Sequence, residues 1–139
     1  MKQTRSQMKK LTNYLYYISM LAIAIWVAYT KGWILANFDM IKPKQAIQLI
    51  KNDKNITILD VREDDEYNSG HIAKSLHIPL DELETNLNKI QKNKKILVYC
   101  RSGNRSITAS RILKKHGYTP IDIKDGIIGL VSNGMKIIK

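Results

Sequence analysis

The stretch Lys95-Ile96-Leu97-Val98-Tyr99-Cys100-Arg101-Ser102-Gly103-Asn104-Arg105-Ser106 decides how this chain is read. Its first part is a short, continuous apolar run of the kind a strand covered on both faces shows. It then leads into a helical pattern, residues 106–116, with Ile107, Ile112 and Leu113 on an apolar side and Gly117 just beyond its end. Cys100, the single cysteine of the chain, falls where a strand stops and a helix is about to begin. A lone cysteine excludes an intramolecular disulfide and a multi-thiolate zinc site. His71, His77 and His116 share no ligand spacing, so neither a metal nor a cofactor is expected.

Working outward, the same alternation repeats. Pro43 suits the first turn of a helix, with Ala46, Ile47, Leu49 and Ile50 on one face. Ile56-Thr57-Ile58-Leu59 reads as a buried strand ending in Asp60-Val61-Arg62. Glu63-Asp64-Asp65-Glu66 fits the N-terminal turn of a short helix, with a solvated surface as its ordinary fate. Ser75–Ile78 is a short strand stopped by Pro79. Asp81, with Glu84 three residues on, predicts a capped helix carrying Leu80, Leu83, Leu87 and Ile90. Pro120–Ile123 is a further strand, and the tail has room for one more helical turn. Strands alternating with helices through residues 40–139 predict an α/β fold: a mostly parallel central sheet with helices on both faces.

The first forty residues differ in kind. Residues 11–30, LTNYLYYISMLAIAIWVAYT, carry no charge, and twenty helical residues span about 30 Å, the thickness of a bilayer's hydrocarbon core. Tyr14, Tyr16 and Tyr17 at one end and Trp26, Tyr29 and Trp33 at the other are placed like aromatic belts. A cleaved signal peptide needs a shorter apolar run and a better small-x-small site than Ala28-Tyr29-Thr30. The expected organisation is a basic tail (1–10), a single transmembrane helix (11–30), a tether (31–39) and a folded domain (40–139). Lys2, Arg5, Lys9 and Lys10 favour an N-terminus inside, which puts the domain on the extracytoplasmic side; Lys31, Lys42 and Lys44 leave the cytoplasmic face as the alternative.

Charge decides one further class. The chain has 23 basic and 12 acidic residues, a net +11. That excess invites a nucleic-acid partner, but from Asp39 onward 18 basic and 12 acidic residues are scattered, with no basic helix interleaved with aromatics. A mildly basic fold that attracts small anions is the expectation, with no nucleic acid.

The loop after Cys100 is suited to such anions. In open parallel sheets, ligand sites lie beyond the carboxyl ends of the strands. Arg101–Arg105 contains one Gly and small polar residues, so its backbone can curl into an anion nest at a helix N-terminus. Two guanidiniums add positive charge, and all of these favour thiolate over thiol. An ordinary buried thiol is the commoner fate of a lone cysteine, but Arg-Ser-Gly-Asn-Arg is an unusual neighbour for one. Cysteine phosphatases place their arginine six positions after the cysteine to clamp phosphate. Here that position is Ser106, and Arg105 comes one residue early, giving a tighter cradle that suits a persulfide sulfur and a small anion.

On these residues the chain resembles a single rhodanese domain. The matching segments are Leu59-Asp60-Val61-Arg62-Glu63…Glu66-Tyr67…Gly70-His71-Ile72, Ser75-Leu76-His77-Ile78-Pro79, and Val98-Tyr99-Cys100 through Ser106. The resemblance implies a thiosulfate-type sulfurtransferase in which Cys100 carries sulfane sulfur as a persulfide. It implies that Arg101, Ser102, Gly103, Asn104 and Arg105 bind a thiosulfate-like donor, while Asp60 and Arg62 tie down the end of their strand. The acceptor would be cyanide, a small thiol or a protein thiol. Lys74-Ser75 stands where the family has a small pair, His77 where an Asn is common, and Asp125-Gly126…Leu130 where it has Gly-Gly…Trp. The competing expectations are a non-catalytic docking module of the same fold and a cysteine phosphatase or arsenate reductase.

Overall fold

The computed structural model describes residues 2–31 and 34–139. Two compact units divide the chain, Met1–Leu35 and Ala36–Lys139.

The first unit is one helix, α1 (Lys2–Thr30). No Pro or Gly interrupts it, and it runs through the basic tail without a break. Residues 5–30 are long and apolar enough to cross a membrane, and the most apolar window of that helix is 0% buried within the protein. The hydroxyls along it bond back to their own helix: Thr12 Oγ1 to Met8 O at 3.1 Å, Ser19 Oγ to Tyr16 O at 2.7 Å and Thr30 Oγ1 to Val27 O at 2.9 Å. Trp33, the last of the aromatic-belt residues, lies outside the described residues.

The second unit alternates strand and helix: β1 (Asp39–Ile41), α2 (Pro43–Asn52), β2 (Ile56–Asp60), α3 (Asp64–Ser69), β3 (Leu76–His77), β4 (Lys95–Tyr99), α4 (Asn104–Lys115), β5 (Thr119–Ile123) and α5 (Gly126–Ser132). The strands form one sheet in the order β1-β5-β4-β2-β3, and every neighbouring pair is parallel. Both faces are covered, as the continuous apolar runs required. Ile96 and Val98 of β4 meet Leu59, Leu83, Ile90, Ala109 and Leu113 on one face. Leu97 and Tyr99 meet Ala46, Ile47, Ile58, Ile123 and Leu130 on the other. Each such aliphatic side chain contributes about 1.5–3 kcal/mol by leaving water. β4 is therefore the anchored centre of the sheet, and the loop beginning at Cys100 inherits a fixed position.

β1, which pairs with β5, has no counterpart among the strands expected from sequence, and a second element also departs from expectation. The segment after Pro79 is two short 3₁₀ turns, Leu80–Glu82 and Glu84–Lys89, rather than one capped α-helix. Asp81 makes no cap. Asn86, at φ −115° and ψ 16°, breaks the helical ladder, and its side-chain amide donates to Glu82 O at 2.9 Å. An Asn that can bond locally competes with the helix here, while Leu83 and Ile90 still reach the core.

Candidate active site

The parallel register sets the carboxyl ends of β2, β4 and β5 side by side, with Asp60 opposite Tyr99 and Val98 opposite Asp122. Cys100 is the first residue past β4 and is 1% exposed. Three residues on, the Gly103 N–H donates to Cys100 Sγ at 3.1 Å. Gly103 adopts the left-handed conformation, φ 96°, and a Cβ there would come within 3.2 Å of the Asp125 nitrogen. A side chain at this position would be both strained and crowded. α4 starts immediately afterwards, at Asn104, two residues earlier than its apolar pattern predicts. The early start puts Arg105 and Ser106 in the first turn, at the positive end of a helix of 12 residues. Ser106 is fully buried; its Oγ lies 3.7 Å from Cys100 Sγ and donates to Gly103 O at 3.2 Å.

The loop is held from behind by α5. The Ile127 N–H donates to Cys100 O at 2.8 Å and the Ile128 N–H to Arg101 O at 3.3 Å. Gly126 makes this approach possible. Its φ is 54°, and a Cβ would fall on the Cys100 carbonyl oxygen and within 2.7 Å of the Arg101 carbonyl. Asp125 is also left-handed, at φ 61°, a conformation that disfavours a side chain. The Asp125-Gly126 turn is thus part of the loop's support.

The two loop arginines differ. Arg101 is exposed. Arg105 grips Glu66 with both ends of its guanidinium, Nη1 to Oε2 at 2.7 Å and Nη2 to Oε1 at 2.9 Å, and reaches Glu63 Oε1 at 3.4 Å. The hydrogen bond from Arg105 holds the Glu66 carboxyl below the usual range, against a partial desolvation that opposes it. In the sequence, the acidic cluster reads as surface. Its first and last members are partners of the active loop, which needs long-range packing of α3 against that loop and has no local signature.

Asp60 and Arg62 are fully or nearly buried and joined at the end of β2. Arg62 Nη2 meets Asp60 Oδ2 at 2.7 Å, and its Nε meets both carboxylate oxygens at 3.0 Å. The remaining donors reach Glu66 O at 3.0 Å and Gly70 O at 2.8 Å. This satisfies a buried guanidinium and ties β2 to both ends of α3. His77 Nε2 donates to Arg62 O at 2.8 Å, and Tyr67 is stacked between His71 and His77 at 3.8 and 4.1 Å. His71 Nδ1 donates to Tyr67 O at 3.1 Å. Both histidines are thus engaged in structure, the ordinary fate for such residues.

Asp122 escaped the sequence reading. It is 0% exposed in β5, with its side chain on the α4 side of the sheet. The available signal was a carboxylate interrupting the apolar pattern Ile121-Asp122-Ile123.

A loop of this geometry can hold a sulfur-centred anion at the end of a central strand. Residues 42–131 match the rhodanese-like domain family. The chain belongs to that family. Among relatives, YrkF of Bacillus subtilis, provisionally named a sulfur carrier protein, is 42% identical over 74 residues, 53% of this chain and 40% of that protein. The thiosulfate sulfurtransferase GlpE of Coxiella burnetii is 33% identical over 84 residues, 60% of this chain and 78% of GlpE. A rhodanese-related protein from Thermoplasma volcanium superposes with a TM-score of 0.67 at 33% identity, covering 73% of this chain and 98% of that one. This chain thus spans less than half of the first relative and most of the other two. α1 lies outside the 42–131 match.

Proposed function

We propose that this protein is a membrane-anchored sulfurtransferase that moves sulfane sulfur from a thiosulfate-like donor to a thiol or cyanide acceptor through Cys100. In the first half-reaction the Cys100 thiolate attacks the outer sulfur of thiosulfate. The S–S bond of the donor breaks, sulfite leaves with the bonding pair, and Cys100 becomes a persulfide anion. In the second, an acceptor such as cyanide or a thiolate attacks the terminal persulfide sulfur, and the Cys100 thiolate returns as the leaving group.

The observation that carries this reading is the Gly103 N–H aimed at Cys100 Sγ from 3.1 Å at the positive end of α4. A donor fixed there serves a negatively charged sulfur without any reorganisation. Arg101, Ser102 and Asn104 line the exposed mouth of the loop. Arg101 offers charge to an incoming dianion, whereas Arg105, bound to Glu66 and Glu63, holds the shape of the cradle as much as it attracts the donor. Asp60 and Arg62 support the loop from the neighbouring strand. The names of relatives such as the thiosulfate sulfurtransferase GlpE favour the same chemistry.

Residues 11–30 would anchor the chain as a single membrane span, with the rhodanese-like domain on the extracytoplasmic side. The absence of buried surface in that apolar helix and the return of its hydroxyls to its own carbonyls support the span, and the basic residues ahead of it favour that side. The decisive test is mass spectrometry of the reduced chain after incubation with thiosulfate. A gain of one sulfur atom on Cys100 is expected, with sulfite release and turnover both abolished in C100S. No adduct with any sulfane donor would leave the docking module as the better reading.

A further inference from the structure

The loop from Cys100 to Arg105 carries two cations, Arg101 and Arg105, and the fold treats them unequally. Arg101 is exposed, whereas Arg105 is engaged by carboxylates. Glu66 meets both ends of the Arg105 guanidinium, at 2.7 and 2.9 Å, and Glu63 approaches to 3.4 Å. Glu66 is itself fixed, since its Oε2 accepts the Glu63 N–H at 3.3 Å at the start of α3. The hydrogen bond from Arg105 keeps the Glu66 carboxyl ionised through neutral pH. Arg105 stands in the first turn of α4, next to Ser106, whose Oγ is 3.7 Å from Cys100 Sγ. Only the length of one arginine side chain separates the two carboxylates from the loop backbone, a range over which charges still act in dilute salt. With Cys100 as a thiolate, two arginines and two glutamates leave the site one negative charge; without the glutamates it would carry one positive charge. Each negative charge on an incoming donor is therefore opposed here, where an unpaired Arg105 would attract it.

We infer that Glu66, assisted by Glu63, is a specificity-determining residue that sets which donor charge this site accepts. By occupying Arg105 and offsetting its charge, it opens the site to sulfane donors with a single negative charge, the organic thiosulfonates and persulfides. These then compete with dianions such as thiosulfate. Glu66 is a positioning residue in this scheme, since it acts on the donor only through Arg105 and its charge. With a thiosulfonate, R–SO₂–S⁻, the Cys100 thiolate attacks the terminal sulfur and the S–S bond breaks. The sulfinate R–SO₂⁻ leaves with the bonding pair, and Cys100 keeps the sulfur as a persulfide anion. Two negative charges stand on each side of that step, whereas the same step with thiosulfate brings three together. The preference deepens the sulfur-transfer reading and rests on it for its purpose.

Alkylation of Cys100 measures the charge preference without any sulfur donor. Iodoacetate and iodoacetamide are close in size and react with the same thiolate, so the ratio of their rates cancels any change in thiolate fraction. Cys100 is the single cysteine of the chain, so no other thiol contributes. In the reduced full-length chain in detergent at low salt, E66Q should raise the iodoacetate-to-iodoacetamide ratio about threefold, the effect of one charge removed at roughly 6 Å in water. E63Q, at a side chain 56% exposed and with the longer contact, should shift the ratio the same way by less. Both shifts should vanish at about 1 M salt, where charges are screened within about 3 Å. A Glu66 that only shapes the loop would slow both reagents alike. An unchanged ratio in E66Q, or a shift that survives high salt, overturns the inference. Persulfide formation on Cys100 is then followed by mass with thiosulfate and with benzenethiosulfonate. The rate ratio of thiosulfate to benzenethiosulfonate should rise in E66Q, and an unchanged ratio again overturns the inference. Failure of both donors to load the wild-type Cys100, beside a shifted alkylation ratio, overturns the sulfur-transfer reading instead.

Discussion

At the scale of single residues, Asp122 also makes a prediction about stability. Its carboxyl moves from 3.8 to about 6 on folding because burial penalises the charged form. A carboxyl raised in this way is easiest to bury when protonated. Its favourable share of stability is complete below pH 3.8 and is lost as pH rises through about 6, a difference of about 3 kcal/mol. To remove any contribution from the thiol, the comparison is made in a C100S background. There D122N should melt at nearly the same temperature as its parent at pH 4 and well above it at pH 8, by roughly 10 °C for a domain of this size. Parallel pH profiles for the two proteins would show that Asp122 is not desolvated as its burial implies. Glu66 contributes with the opposite sign: held low by Arg105, it stabilises at neutral pH and loses that effect under acid conditions. A C100S background leaves that pair untouched, so it cancels from the comparison.

Among the elements, α5 bears most directly on the loop, since two of its N–H groups hold the carbonyls of Cys100 and Arg101. G126A would drive a methyl group into those carbonyls at a backbone conformation that disfavours any side chain. We expect a destabilisation of about 2–4 kcal/mol by thermal or urea melts. Sulfur uptake by Cys100 should fall at least tenfold even where the variant remains folded. Full activity in G126A would mean that the loop does not depend on α5. How far such relations could be read from sequence depends on their range. β2, β4, β5, α2 and α4 announce themselves through apolar runs, a Pro at a first turn or a Gly at a helix end, which are local signals. The loop was legible for the same reason, because its Gly, its arginines and its cysteine are contiguous. Glu66 against Arg105 joins residues far apart in the chain, and nothing in their immediate neighbours marks the pairing. Asn86 shows the converse: a local side-chain bond ended a helix that the spacing of Leu80, Leu83, Leu87 and Ile90 predicted.

For the whole molecule, the second unit carries its own two apolar clusters, built from residues between Ile41 and Met135. A chain cut to residues 36–139 should therefore fold, remain in the supernatant without detergent and keep its thiosulfate reaction. The full chain should sediment with membranes and be released by detergent but not by carbonate. Release by carbonate would argue against a span. The clamp of α5 on the Cys100 loop also has a consequence for biosynthesis. A ribosome delivers Cys100 about twenty-five residues before it delivers Gly126, so every nascent chain carries the cysteine for a time without the turn that shapes its loop. Products that terminate early in that interval would carry the thiol but lack its shaped cradle, so the reactive site matures only once the Asp125-Gly126 turn has been made.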